Sequence, residues 1–331
     1  MSTTVISERA RRLYSEALVW DDHSGFDPEG GADRLANLQR WARSDVHYLS
    51  VNVGYDVIDW ETSLRVLASF RAWLQQRPEQ YLLVGTADDI LRAKSERKLG
   101  ITFDLEGMNA LNGDVNMVNV FYALGVRQML FAYNLNNLAG GGCHDADSGL
   151  TDFGRAVIRE MNRVGMLVDC SHTGHRTTME AMEISDAPVI FSHSCAKAVW
   201  QHGRNITDDQ IKACARTGGV IGINGIGTFL GRNDISSATF VDHIAHVANL
   251  VGPEHAGISL DYAFDAEKVD ELVAGNTKYW PRAEYESASL YLPPEQLPEV
   301  VETMLQRGFD NAEITGILGG NFLRVAKAVW K

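Results

Sequence analysis

The residues best able to do chemistry in this 331-residue chain are three imidazoles and one carboxylate: His23, Glu106, His172 and His193, each closing a short apolar run. Imidazole and carboxylate together suit Zn2+ or a similar divalent ion, and this set can hold one metal or share two. Such an ion makes water nucleophilic near neutral pH, and a nearby carboxylate then moves protons, so the expected chemistry is hydrolysis. A lone His or Glu at such a position is more often structural. Four in equivalent places are harder to dismiss, and Asp21, Asp22, Asp104, Asp169 and Asp261 end or lie close to the ends of the same runs. Weaker candidates are His175, three residues after His172, and Cys170, which a strand would turn to the same side as His172. His47, His144, His202, His243, His246 and His255 fall on helices or loops and read mostly as structural. The Gly140 to Gly142 run lacks the Lys and Ser or Thr of a phosphate loop.

Residues so distant in the chain meet only if the elements before them run side by side. Eight segments read as strands: 17–21 (ALVWD), 46–53 (VHYLSVNV), 101–106 (ITFDLE), 127–133 (RQMLFAY), 166–172 (MLVDCSH), 188–193 (PVIFSH), 219–224 (GVIGIN) and 256–261 (AGISLD). Most are continuous apolar runs, as in strands buried on both faces. Helical patterns fall between them: Thr62 to Gln76, Asp88 to Lys98, Asn116 to Leu124, Thr151 to Arg163, Thr177 to Ser185, Asp208 to Thr217 and Thr239 to Val251. Thr86, with Asp89 three residues on, reads as the cap of the second. The alternation predicts an α/β chain folded as a (β/α)8 barrel, with an open doubly wound sheet as the alternative. Barrel enzymes build their sites at the carboxyl ends of the strands, where the four residues lie.

No linker or repeat divides the chain, so residues 1–331 are expected to form one domain. The longest irregular stretch, 264–298, follows the eighth strand, carries Tyr279, Trp280, Tyr285 and Tyr291, and reads as a lid or a subunit contact. Thirty Lys and Arg against forty-three Asp and Glu leave a net charge of -13, which excludes a basic field for nucleic acid or anionic lipid. The first twenty residues resemble neither a signal peptide nor a membrane span, and no later stretch approaches the ~18 apolar residues a span needs. The four cysteines, Cys143, Cys170, Cys195 and Cys214, have no paired spacing and read as reduced thiols of a cytoplasmic protein.

The strings FDLEG, VDCSH and PVIFSHS, the pair Arg204-Asn205 with Asp208-Asp209, and the closing GILGGNFLRVAKAVW together resemble the renal or membrane dipeptidase family, from about Val19 to the C-terminus. The resemblance implies a zinc-dependent, amidohydrolase-like barrel that cleaves dipeptides, often with a D-residue at the carboxyl end. It also implies that Glu106 bridges two zinc ions, with His23 on one and His172 and His193 on the other. Asp261 then handles the proton, and Arg204 grips the substrate's free carboxylate. The family's homodimer is implied in the same way.

Two positions depart from that pattern. Asp21-Asp22-His23-Ser24-Gly25 stands where the family reads Asp-Gly-His-Asn-Asp, so a carboxylate ligand has become Gly25. Tyr133 stands where the family has a His that contacts the tetrahedral intermediate, and a phenol can donate to the same oxyanion. The expectation is at least one tightly bound zinc, or two if the His23 side fills, in a dipeptidase acting on a small-molecule substrate. Hydrolysis of another small amide, lactam or N-acyl amino acid is the second reading, and a metal-binding or scaffold protein without catalysis is the third.

Overall fold

The computed structural model describes residues 5–25, 31–285 and 288–331. Its strands are β1 (Trp20–Ser24), β2 (Tyr48–Tyr55), β3 (Tyr81–Leu83), β4 (Leu99–Glu106), β5 (Val126–Leu130), β6 (Leu167–Asp169), β7 (Val189–Ile190), β8 (Ile221–Asn224) and β9 (Ala256–Ser259). Pairing runs β1-β2-β4-β5-β6-β7, all parallel, and β8 pairs with β9 in the same sense. A parallel bridge from Phe191 to Ile221 joins β7 to β8. The ring closes where Asp261 N donates to His23 O (2.9 Å) and Gly25 N to Tyr262 O (2.9 Å). Leaving β3 aside, eight strands make the circuit, which is the expected (β/α)8 barrel. β3 lies along the amino-terminal half of β4, at Leu99 to Ile101, and β5 takes over beyond it.

The continuous apolar strands are buried along their length, since helices cover their outer faces and side chains fill the interior. The expected helices are all present, as Trp60–Gln75, Ala87–Glu96, Met117–Ala123, Asp152–Val164, His175–Ile184, Asp208–Arg216 and Ser237–Val251. Thr86 and Asp89 form the reciprocal capping box that opens the second.

Several strands stop short of their expected ends. β6 ends at Asp169 and β7 at Ile190, so His172 and His193 stand in the turns just beyond, and Tyr133 lies past β5. The stretch read as irregular contains the helix Ala266–Gly275, whose N-cap Asp265 accepts from Lys268 N. Residues 286 and 287 of that stretch, and the first four of the amino-terminal segment, lie outside the described residues. Among the described residues no helix is long and apolar enough to cross a membrane.

Candidate active site

Each of the three imidazoles is fixed through its Nδ1. His23 Nδ1 lies 3.1 Å from Asp104 Oδ1, and that carboxylate is itself held by Ser50 Oγ (2.6 Å) and Asn52 Nδ2 (3.1 Å). His172 Nδ1 lies 2.7 Å from Asn134 Oδ1. Ser192 Oγ donates to Asp169 Oδ2 (2.5 Å) and so accepts from His193 Nδ1 (2.7 Å). With every Nδ1–H given to an acceptor, the neutral form of each imidazole presents its lone pair at Nε2.

All three Nε2 atoms converge on Glu106. His23 faces Oε1 at 3.6 Å, whereas His172 and His193 face Oε2 at 3.2 and 3.3 Å. The carboxylate therefore divides the imidazoles one to two between its oxygens, and Asn52 Nδ2 steadies Oε1 at 3.1 Å. His172 Nε2 and His193 Nε2 stand 2.9 Å apart, near the ~3.3 Å expected of two nitrogens at ~2.05 Å on one tetrahedral ion. Ligand atoms of His23, Glu106 and His193 all lie within 4.8 Å of one another. All four residues are at most 5% exposed, and His23 Nε2 has no hydrogen-bond partner. A cation satisfies this arrangement, and the donor set fits zinc or a similar divalent ion.

Electrostatics agree. Burial pushes the Glu106 carboxyl well up, against the pull of His23. Burial lowers His172 and His193, with Arg204 and His23 respectively as the next cause. For His23 burial works downward too, but Asp104 and Glu106 together raise the imidazole. The site so far from water holds its charges only with compensation, which a divalent ion supplies.

Asp261 joins the group, its Oδ1 3.5 Å from His23 Nε2 and its Oδ2 held by Asn224 Nδ2 (2.7 Å). Tyr133 stacks on the His172 ring at 4.2 Å, and its backbone N–H is held by Asp56 Oδ2 (3.0 Å). Burial keeps the phenol protonated and so a donor. Glu106, Tyr133, His172 and Asp261 line one cavity. Arg204, 2% exposed, donates to Ser194 Oγ (2.9 Å) and His193 O (2.6 Å), while its Nε has no partner. It lines a neighbouring crevice that meets the cavity at His172.

His172 (φ 59°), Asp261 (φ 50°) and Asn134 (φ 64°) all adopt left-handed backbone, uncommon outside glycine and here gathered around one site. Gly25, the missing carboxylate, also has positive φ (83°), and a Cβ there would sit 2.6 Å from Phe264 Cζ. An aromatic ring occupies the room a side chain would need.

The other candidates fall away. His175 pairs with Asp209 at 2.7 Å on the surface, and burial pushes the Cys170 thiol well up, away from thiolate chemistry. His47, His243 and His255 satisfy backbone groups, whereas His246 pairs with Asp208. Sequence reasoning missed Asn52, Asn134, Ser192 and Asn224, which aim the ligands and Asp261. Their one signal was position, within β2 for Asn52, at the end of β8 for Asn224, and in the turns after β5 and β7 for Asn134 and Ser192.

Comparison with known proteins points the same way. The family model described as membrane dipeptidase, peptidase family M19, matches residues 32–277. The dipeptidase tcpJ of Claviceps purpurea is 32% identical over 290 residues, covering 86% of this chain and 61% of that protein. The chain thus spans about three-fifths of that relative's length. An amidohydrolase of Pseudomonas aeruginosa superposes with a TM-score of 0.87 at 25% identity, covering 97% of this chain and 99% of the other. A metallopeptidase of Rhodobacter sphaeroides, solved with a phosphinate mimic of L-Ala-D-Ala, shares the fold with a TM-score of 0.77 at 18% identity, over 95% and 99% of the two chains.

Proposed function

The chain belongs to the membrane dipeptidase family, peptidase family M19, and from that premise we propose that it is a zinc-dependent hydrolase that cleaves small dipeptides. The observation that carries this reading is the convergence of three lone-pair Nε2 atoms on the two oxygens of Glu106. His172, His193 and Glu106 would hold one ion, and His23 with Glu106 would hold a second. Bound there, zinc would supply a more acidic water and a Lewis acid for the scissile carbonyl. Asp261 takes the proton from the attacking water and returns it to the leaving amine. The Tyr133 phenol donates to the developing oxyanion. Arg204 binds the substrate's terminal carboxylate, a role supported by its unpartnered Nε.

A second reading, hydrolysis of another small amide, lactam or N-acyl amino acid, is favoured by one feature. Arg204 lines the adjoining crevice rather than the cavity of Tyr133 and Asp261, so a substrate without a free carboxylate can fill that cavity.

Zinc stoichiometry measured beside a dipeptide panel, with D- and L-residues at the carboxyl end, tests both. The expected result is at least one zinc per chain and turnover that falls by about 100-fold or more in His193→Ala. Less than about half an equivalent of zinc after reconstitution would reject the metal centre. Turnover of other amides but no dipeptide would select the second reading.

A further inference from the structure

The cavity over the metal-ligand cluster has an uneven lining. Tyr133, Phe229, Trp280, Tyr285 and Tyr291 form much of its wall, and Glu106, Asp261 and Asp270 are its charged members. Among the described residues no Lys or Arg lines it, and the Arg204 guanidinium stands 5.8 Å from the Phe229 ring centroid on the side of the crevice. Glu106 and Asp261 lie at the cluster, where a bound divalent ion would offset their charge. Asp270 has no such compensation. It sits on the helix Ala266–Gly275, whose Val269, Asp270 and Val273 share one face and line the cavity together. Its Oδ1 accepts the Ser289 backbone N–H (3.2 Å), and among the described residues no cation pairs with it. Burial pushes its carboxyl up. Burial, Asp261 and Asp270 together raise the Tyr291 phenol, so this aromatic residue feels the carboxylates of both ends of the cavity.

At the Asp270 end, aromatic faces beside a carboxylate without a paired cation attract a positively charged group, through the ring quadrupoles and through the charge itself. Resting on the metal-dependent amidase reading, we propose that Asp270 is a specificity residue for a cationic side chain, an ammonium or guanidinium, on the residue that precedes the scissile bond. The carbonyl of that bond then lies at the Glu106 cluster, and the side chain runs along Trp280 and Tyr291 towards Asp270. The chain's net charge of -13 draws a cationic substrate in the same direction.

Asp270→Asn separates binding from folding, because the amide oxygen still accepts from Ser289 N while the charge is lost. The probes are lysyl and norleucyl versions of one non-hydrolysable phosphinate dipeptide, titrated calorimetrically into the zinc-loaded protein, beside kcat/KM for the matching dipeptides. The lysyl compound is expected to bind at least about tenfold more tightly than the norleucyl one, and Asp270→Asn to bring that ratio near unity with norleucyl binding unchanged. A wild-type ratio near or below one, or a ratio that survives Asp270→Asn, overturns the proposal. Absence of turnover beside an intact binding ratio counts against the hydrolase reading alone.

Discussion

At the scale of single residues, Gly25 stands where the resemblance to the dipeptidase family implies a carboxylate. Restoring a carboxylate there is more than a local change, because the Phe264 ring stands 2.6 to 3.2 Å from the Cβ that would be added. That ring packs edge-on against Trp41, with centroids 5.7 Å apart, so yielding to a side chain at 25 gives up that contact. Gly25→Asp alone is therefore expected to destabilise the fold by about 1 to 3 kcal/mol without raising the zinc content. Gly25→Asp with Phe264→Ala is expected to raise occupancy on the His23 side. Urea midpoints and metal analysis on both variants check this, and a single variant that gains zinc at an unchanged midpoint contradicts it. The sequence discloses the missing carboxylate but not the ring that fills its place, since Phe264 comes from the far end of the barrel circuit. The same limit hid the aiming groups. His23, Glu106, His172 and His193 stand out after apolar runs, but Asn52, Asn134, Ser192 and Asn224 have the residue types that ordinarily make turns. Only the folded geometry tells the two uses apart.

At the scale of elements, most barrel strands were legible because burial on both faces leaves an apolar string, whereas β1, Trp20–Ser24, is mostly polar and overlaps the expected run 17–21 only at Trp20 and Asp21. β3 was not legible, because Tyr81–Leu83 is three residues long and pairs on one edge only. The helices Glu8–Glu16, Leu297–Gln306 and Asn321–Val329 lie outside the barrel alternation that framed the expectations. The helix Ala266–Gly275 was hidden inside a stretch marked by aromatic residues and prolines. Its Asp265 cap is the main local device that starts it, with Oδ1 3.2 Å from Lys268 N. Asp265→Ala is expected to cost this helix about 1 kcal/mol, within the range for lost N-caps. Hydrogen exchange across 266–275 should quicken about fivefold while the barrel strands keep their protection. KM should rise with it, because Val269, Asp270 and Val273 line the cavity from this helix. Unchanged exchange in 266–275 would show that packing onto the barrel, rather than the cap, sets its stability.

At the scale of the molecule, the cluster fastens the barrel across its mouth. His23 belongs to β1, Glu106 to β4, and His172 and His193 to the turns after β6 and β7, so one centre joins elements from well separated parts of the ring. The ring's last joint, between the segment after β9 and β1, is made beside it. Asp261 N donates to His23 O, and Leu260 N donates to Asp21 Oδ1 at 2.7 Å. Without an ion, the folded chain must keep Glu106 and three imidazoles buried and crowded, whereas the unfolded chain leaves them in water. An ion that binds this geometry and not the unfolded chain shifts the folding balance by mass action, by about 4 kcal/mol when free zinc is 1,000 times its dissociation constant. Spread over the unfolding entropy of a chain this long, that is a rise in Tm of about 6 °C. Calorimetry of the protein before and after chelation, at matched pH, should show that loss, and readdition of zinc should recover it. In His193→Ala the difference should shrink to a fraction of its size. A Tm indifferent to chelation in a protein shown to carry zinc would mean that the ion sits at a site unconnected with barrel closure, and would remove the cluster from the elements that hold the fold together.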